Sequence, residues 1–277
     1  MKLAFSTNAF KKYSLQDSIK KISTIGYEGV EILADIPHAY PPMFGKEQIG
    51  SVIDTLSECK IQVSNLNAFT LYAITDVYHP SWIENDTSLR ELRIQHTINC
   101  IKLAQKIGSK NISTEPGGPI EPGTDIAELK KRFIRGLNKT AAIAEENKIK
   151  ILIEPEPDLL LENSAQFLHF INDINSDYVR LKFDIGHFYC VSEDPAKLVY
   201  RLADYVEHFH LADIADRVHN HLIPGKGSID FRSVFQAING IGYKGFVTVE
   251  LYPYQDNPVY AAAAAYRYLS EILNQIS

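Results

Sequence analysis

The chain of 277 residues has only three cysteines, Cys59, Cys100 and Cys190. They are odd in number and far apart, which argues against both a disulfide framework and a thiolate metal cluster. Reduced thiols in a cytoplasmic protein are the expected state. Also missing is any apolar stretch long enough for a signal peptide or a membrane span. The run Ala261 to Ala265 is short and continues into Tyr266-Arg267-Tyr268, which predicts a helix packing face. Blocks of lysine and arginine are absent as well. Against 34 acidic side chains stand 28 basic ones, a formal charge of −6. That balance disfavours a nucleic-acid binder, whose affinity comes mainly from phosphate contacts. No linker divides the chain, so one domain over residues 1–277 is expected.

What is present is an alternation. Short β-rich runs lie at Leu3–Ser6, Gly29–Leu33, Ile61–Asn65, Asn111–Thr114, Ile149–Glu154, Val179–Asp184, Val206–Leu211 and Phe246–Leu251. Most are rich in Val, Ile and Phe, as strands buried on both faces should be. Between them lie helical spacings such as Leu15, Ile19, Ile22, Ile25 and Phe133, Leu137, Ala141, Ala144. Eight βα units in a length near the ~250 residues of such barrels predict an α/β fold, a (β/α)8 barrel. A short echo, Ile25-Gly26-Tyr27 and Ile241-Gly242-Tyr243, places a glycine suited to a helix C-cap before a strand each time. The stretch 68–87 is a long loop before the third helix and is expected to serve as a lid.

Four successive strands end on groups that are costly to bury alone. The fifth runs Ile151-Leu152-Ile153-Glu154, the sixth Leu181-Lys182-Phe183-Asp184, the seventh His208-Phe209-His210 and the eighth Val247-Thr248-Val249-Glu250. A carboxylate inside an apolar run needs a partner or a cation. In a barrel, all four lie at the C-terminal mouth, where active sites are built. Three carboxylates and an imidazole form a mostly oxygen set. It suits one divalent ion, Mn²⁺, Mg²⁺ or Co²⁺ ahead of Zn²⁺. Each residue alone has a plainer reading as an ion-pair partner or a satisfied histidine, and the set of four on consecutive strands is what points to a metal. His208 has the same parity but lies deeper, as a core group would. Lys182 is expected to pair beneath the ion.

The segments Glu154-Pro155-Glu156, Asp184-Ile185-Gly186-His187, His208-Phe209-His210-Leu211-Ala212-Asp213, Pro224-Gly225-Lys226-Gly227-Ser228-Ile229-Asp230 and Val249-Glu250 resemble the xylose isomerase-like superfamily. Within it, they are similar to the sugar phosphate isomerase/epimerase group, which includes ketose 3-epimerases and inosose isomerases and dehydratases. The resemblance implies that Glu154, Asp184, His210 and Glu250 bind the metal. It also implies that Glu154 and Glu250 move a proton next to a polarised carbonyl, and that His187 and Arg217 hold substrate oxygens. Glu156, Asn67 and Glu115 lie at the mouth in this register as further substrate contacts. The implied partner is a small polyol or ketose. Nothing marks an oligomer interface, so a homo-oligomer stays open. A dehydratase on the same metal site, a non-catalytic barrel and an endonuclease IV-like nuclease are the rivals. The last branch uses histidines where this chain has Asn65-Leu66-Asn67 and Ser113-Thr114-Glu115. His219 and His221 stand where that branch binds additional metals, and their role is left open.

Overall fold

The computed structural model describes residues 1–276. Eight parallel strands close into a barrel: β1 (Lys2–Ser6), β2 (Gly29–Leu33), β3 (Gln62–Asn67), β4 (Asn111–Thr114), β5 (Lys150–Ile153), β6 (Val179–Asp184), β7 (Val206–Leu211) and β8 (Phe246–Val249). Strand β8 pairs with β1, so no edge is left open. The ring of helices comprises α1 (Leu15–Ile25), α2 (Lys46–Cys59), α3 (Thr87–Ile107), α4 (Ile126–Asn147), α5 (Ser164–Ile171), α6 (Ile185–Cys190), α7 (Pro195–Arg201), α8 (Phe231–Gly240) and α9 (Pro258–Ile276). The alanine run falls in α9, with Ala261, Ala262 and Ala265 buried against the barrel. Gly26 ends α1 at φ 118° and Gly242 follows α8 at φ 71°, the left-handed turn that the sequence echo requires.

Several expected boundaries move by one or two residues, in β1, β3, β5 and β8. Strand β5 stops before Glu154, where Pro155 removes a backbone donor, and β3 extends to Asn67. No helix among the described residues is long and apolar enough to cross a membrane.

The barrel interior is polar already below the layer of His210 and Glu250. Ser64 and Thr248 share a hydrogen bond of 3.1 Å, and His208 Nε2 lies 2.8 Å from the same Thr248 hydroxyl. Strands β3 and β8 are not neighbours, so the first of these contacts passes through the lumen. The ladder shifts register between Val30 and Glu31 and again between Leu181 and Lys182. Both irregularities come immediately before a buried charge. Such bulges re-aim the residues that follow them.

The segment between β3 and α3 is tied down at several points. The Asp35 carboxylate accepts from the Thr70 hydroxyl at 2.8 Å and from the amides of Tyr72 and Ala73 at 2.6 and 3.0 Å. The buried Arg93 guanidinium donates to the carbonyls of Pro80, Ala68 and Phe69 at 2.8, 3.0 and 3.0 Å. Trp82 drops into the layer behind the barrel, its ring 5.5 Å from that of Phe133 and its Nε1 donating to Thr114 Oγ1 at 3.0 Å. Gly136 makes room for the indole, since a Cβ there would come within 2.8 Å of it. Trp82→Ala should therefore destabilise the protein by roughly 3–5 kcal/mol, as expected for truncating a buried aromatic. Urea unfolding followed by circular dichroism checks this, and a loss under about 1 kcal/mol would mean that the indole is not a structural plug.

Candidate metal centre and substrate pocket

The four strand-end residues meet. One ligand atom from each of Glu154, Asp184, His210 and Glu250 lies within 4.8 Å of every other. His210 Nδ1 is 3.0 Å from Glu154 Oε1, 3.5 Å from Glu250 Oε2 and 3.8 Å from Asp184 Oδ2. All four residues are buried. Each is also anchored from behind. His210 Nε2 is 2.7 Å from Glu31, Lys182 Nζ is 3.1 Å from Glu154 Oε2, and Asn8 Nδ2 donates to Glu250 Oε1 at 2.7 Å. Asp184 caps α6 by accepting the His187 amide at 2.8 Å.

What these anchors leave free is informative. Glu154 Oε1, Asp184 Oδ2 and His210 Nδ1 are buried and have no hydrogen-bond partner. Buried polar atoms are almost always satisfied, so three orphans facing one another call for a shared partner. Oxygen and imidazole donors converging from different strands fit a divalent cation. Burial disfavours a charged His210 ring, but Glu31 foremost among the surrounding carboxylates lifts its pKa well above the ordinary histidine value. Burial likewise would raise Glu250, yet the charge of His210, helped by His221 and Lys182, holds it well below the usual carboxylate range.

A cavity of about 210 Å³ opens directly above, lined by Glu154, Glu250, Glu156, His187, Asn67 and Tyr252 among others. Three expected substrate contacts, His187, Glu156 and Asn67, thus line it. His187 donates Nδ1–H to the Pro155 carbonyl at 2.9 Å, which leaves Nε2 as an acceptor. Burial brings its pKa down to about 4, so the ring is neutral near pH 7. Burial pushes the Glu156 carboxyl well above its normal range, although a 2.8 Å hydrogen bond from the Tyr78 hydroxyl acts the other way. Asn67 spends its amide on carboxylates, 3.2 Å from Glu31 and 3.4 Å from Glu250.

Two residues expected at the pocket stand elsewhere. Arg217 donates to the Tyr189 carbonyl at 2.6 Å and stacks over that ring, on a wall outside the cavity. Its backbone takes φ 58°, a turn that strand periodicity does not foretell. Glu115 is sealed beneath the loop, accepting from the amides of Trp82 and Gly117 at 3.0 and 2.6 Å. Burial raises its carboxyl to about 7, with Arg93 pulling downward.

Asn8, Lys11, Tyr252 and Glu31 at the site escaped the sequence reading. Asn8 and Lys11 follow β1 and line the cavity, as does Tyr252. Glu31 on β2 touches His210 directly, and its signal was available: a carboxylate inside the apolar run Gly29-Val30-Glu31-Ile32-Leu33. His187, His219 and His221 form a second cluster beside the pocket, with 2.7 Å between the Nε2 atoms of the latter two. Burial lowers His219 to about 3, so a neutral ring faces the cavity.

At the opposite, N-terminal end lies a wider recess with Lys60, Lys110, Lys148 and Lys244 on its rim. Helices α2 and α4 end on Lys60 and Lys148. Cations there complement the negative ends of the helix dipoles.

The chain is similar to an inosose dehydratase of Lacticaseibacillus casei, 29% identical over 163 residues that cover 52% of this chain and 55% of that protein. The match thus spans about half of that relative's length. It is similar over nearly its whole length to a fructoselysine 3-epimerase of Escherichia coli O157:H7, 25% identical over 283 residues, 97% of each chain. Among solved structures, the IOLI protein with a bound zinc atom superposes at a TM-score of 0.82 and 20% identity, covering 100% of this chain and 99% of that one. The family model described as xylose isomerase-like TIM barrel matches residues 19–272. With eight parallel strands closed into a ring and a match that runs from α1 into α9, the chain belongs to the xylose isomerase-like TIM barrel family.

Proposed function

We propose that this protein is a divalent-metal-dependent isomerase or epimerase of a sugar, sugar phosphate or cyclitol, acting by proton transfer beside a carbonyl. The observation that carries the reading is the convergence of three unsatisfied buried atoms, Glu154 Oε1, Asp184 Oδ2 and His210 Nδ1, beneath a pocket of polyol size and polarity. Similarity to a 3-epimerase over 97% of the chain supports it. When bound, the cation supplies Lewis acidity to neighbouring carbonyl and hydroxyl oxygens. Mn²⁺, Mg²⁺ and Co²⁺ suit the oxygen-rich set, and the zinc in a structural neighbour keeps Zn²⁺ in view.

The chain's own residues do the remainder. Glu154 and Glu250 reach the cavity floor from different strands, so one removes the proton next to the carbonyl and the other returns it on the opposite face. Asn8 holds Glu250 Oε1 and Lys182 holds Glu154 Oε2, leaving one oxygen of each carboxylate toward the substrate side. His187 Nε2 accepts a substrate hydroxyl. Glu156, its carboxyl pushed up by burial, contacts another. The tip of the 68–87 segment, carrying Val77 and Tyr78, covers the substrate, with Tyr78 clasped to Glu156.

The runner-up is loss of a β-hydroxyl as water from a cyclitol, favoured by the similarity to an inosose dehydratase. It uses the same proton-removing carboxylate. The deciding experiment incubates metal-loaded protein with ketoses, ketose phosphates and inososes in deuterated water. Deuterium uptake at the α-carbon with retention of the carbon skeleton and oxygens supports isomerisation. A product lighter by one water supports dehydration. No exchange with any of them would leave a non-catalytic barrel.

Glu154→Gln and Glu250→Gln should each lower α-proton exchange by at least about 100-fold, the lower range for removing a general base. Asp184→Asn should chiefly weaken metal binding, read by calorimetric titration. Full activity in both glutamine variants with metal bound would refute the proton-transfer assignment. Tyr78→Phe should leave metal affinity unchanged and raise KM roughly fivefold, the worth of one hydrogen bond of about 1 kcal/mol. Steady-state kinetics on the substrate identified above checks this. A large fall in kcat at constant KM would instead place Tyr78 in the chemistry.

A further inference from the structure

We infer that Glu31 is a positioning residue that sets which face of His210, and which oxygens of Glu154 and Glu250, are offered to the metal. The inference rests on the four-ligand reading above. Glu31 stands on β2 and His210 on β7, and the two meet through the lumen. Both are fully buried. Glu31 Oε2 lies 2.7 Å from His210 Nε2, 2.7 Å from Asn65 Nδ2 and 3.1 Å from Lys182 Nζ, and Oε1 accepts from Asn67 Nδ2 at 3.2 Å. Its protein-derived neighbours are thus donors throughout, as an ionised carboxylate requires.

The contact at 2.7 Å decides the histidine tautomer. A carboxylate oxygen is only an acceptor, so Nε2 must carry a proton, and Nδ1 is the nitrogen turned toward Glu154, Asp184 and Glu250. A carboxylate behind a metal-binding imidazole fixes the ring and makes its free nitrogen a better donor.

Glu31 also acts on two other ligands. Lys182 bridges Glu31 and Glu154, 3.1 Å from each, and so draws Glu154 Oε2 aside and leaves Oε1 facing the cluster. Asn67 bridges Glu31 and Glu250 Oε1. Asp184 alone is held independently, by the α6 amide that it caps. Removing the charge of Glu31 would leave Glu154 as the one carboxylate within 4 Å of the Lys182 ammonium among the described residues. That ammonium would then compete with a cation for Glu154.

The test is calorimetric titration of Mn²⁺, and separately Zn²⁺, into metal-stripped wild-type protein, Glu31→Gln and Glu31→Asp. Both variants should bind about 10–100-fold more weakly, aspartate because its shorter carboxylate cannot reach Nε2. In the zinc-loaded wild type, ¹⁵N spectra of histidine-labelled protein should show one ring, absent in His210→Gln, protonated at Nε2 and zinc-bound at Nδ1. Should Glu31→Gln fail to fold, the pair Glu31→Gln with Lys182→Met removes both buried charges. It should still show the weakened affinity, because His210 has lost its charged acceptor. Folded variants that bind within about threefold of wild type, well inside the range for such supporting groups, would overturn the inference. Wild-type protein that takes up neither ion would overturn the four-ligand reading itself, a different result.

Discussion

The constraint on which this structure turns is electrostatic: charge inside a closed barrel must be balanced within the barrel. Moving a single carboxylate out of water costs several kcal/mol unless opposite charge and hydrogen bonds replace the lost solvation. Here Glu31, Glu154, Asp184 and Glu250 are buried together, and Lys182 is the buried ammonium that pairs with two of them. His210 adds a ring with an acidic neighbour on each side. The arrangement is layered. Lys182 and the Asn65 amide nitrogen lie deeper and both donate to Glu31, whereas the upper layer leaves Glu154 Oε1, Asp184 Oδ2 and His210 Nδ1 unpaired. The Glu31 charge is compensated below, and unpaired ligand atoms gather where the cavity begins.

That gradient accounts for the position of the two register shifts. A regular ladder lets a strand continue with undisturbed alternation, so a change of phase must be introduced by an irregular residue. The shifts precede Glu31 and Lys182, and these two residues pair with each other across the lumen. The barrel departs from ideal geometry where charge enters its interior.

Much of this could be read from the chain alone, for identifiable reasons. Parallel strands covered on both faces show as compact apolar runs, so all eight could be placed, with ends off by a residue or two in β1, β3, β5 and β8, Pro155 being the reason in β5. Glu154, Asp184, His210 and Glu250 were visible because each interrupts or ends such a run. Glu31 obeyed the same rule but sits mid-strand, so attention to strand ends passed over it. Arg217 and Glu115 were assigned by register or resemblance, and there the reading was weaker. Their orientation depends on loop backbone, on a left-handed turn at Arg217 and on the amides of Trp82 and Gly117 around Glu115. Trp82 read as a loop aromatic, since nothing in its immediate neighbours announces the hollow left by Gly136, 54 positions further along.

The segment that follows β3 combines fixity and freedom. Its two shoulders are fastened to groups with no other evident task, Asp35 at one and Arg93 at the other, while the arc between them touches the cavity through Val77 and Tyr78. Such a strap behaves like a drawbridge with both abutments set in stone. The anchors that hold the strap are thus separate from the residues it presents to the cavity, and both are separate from the ionic floor.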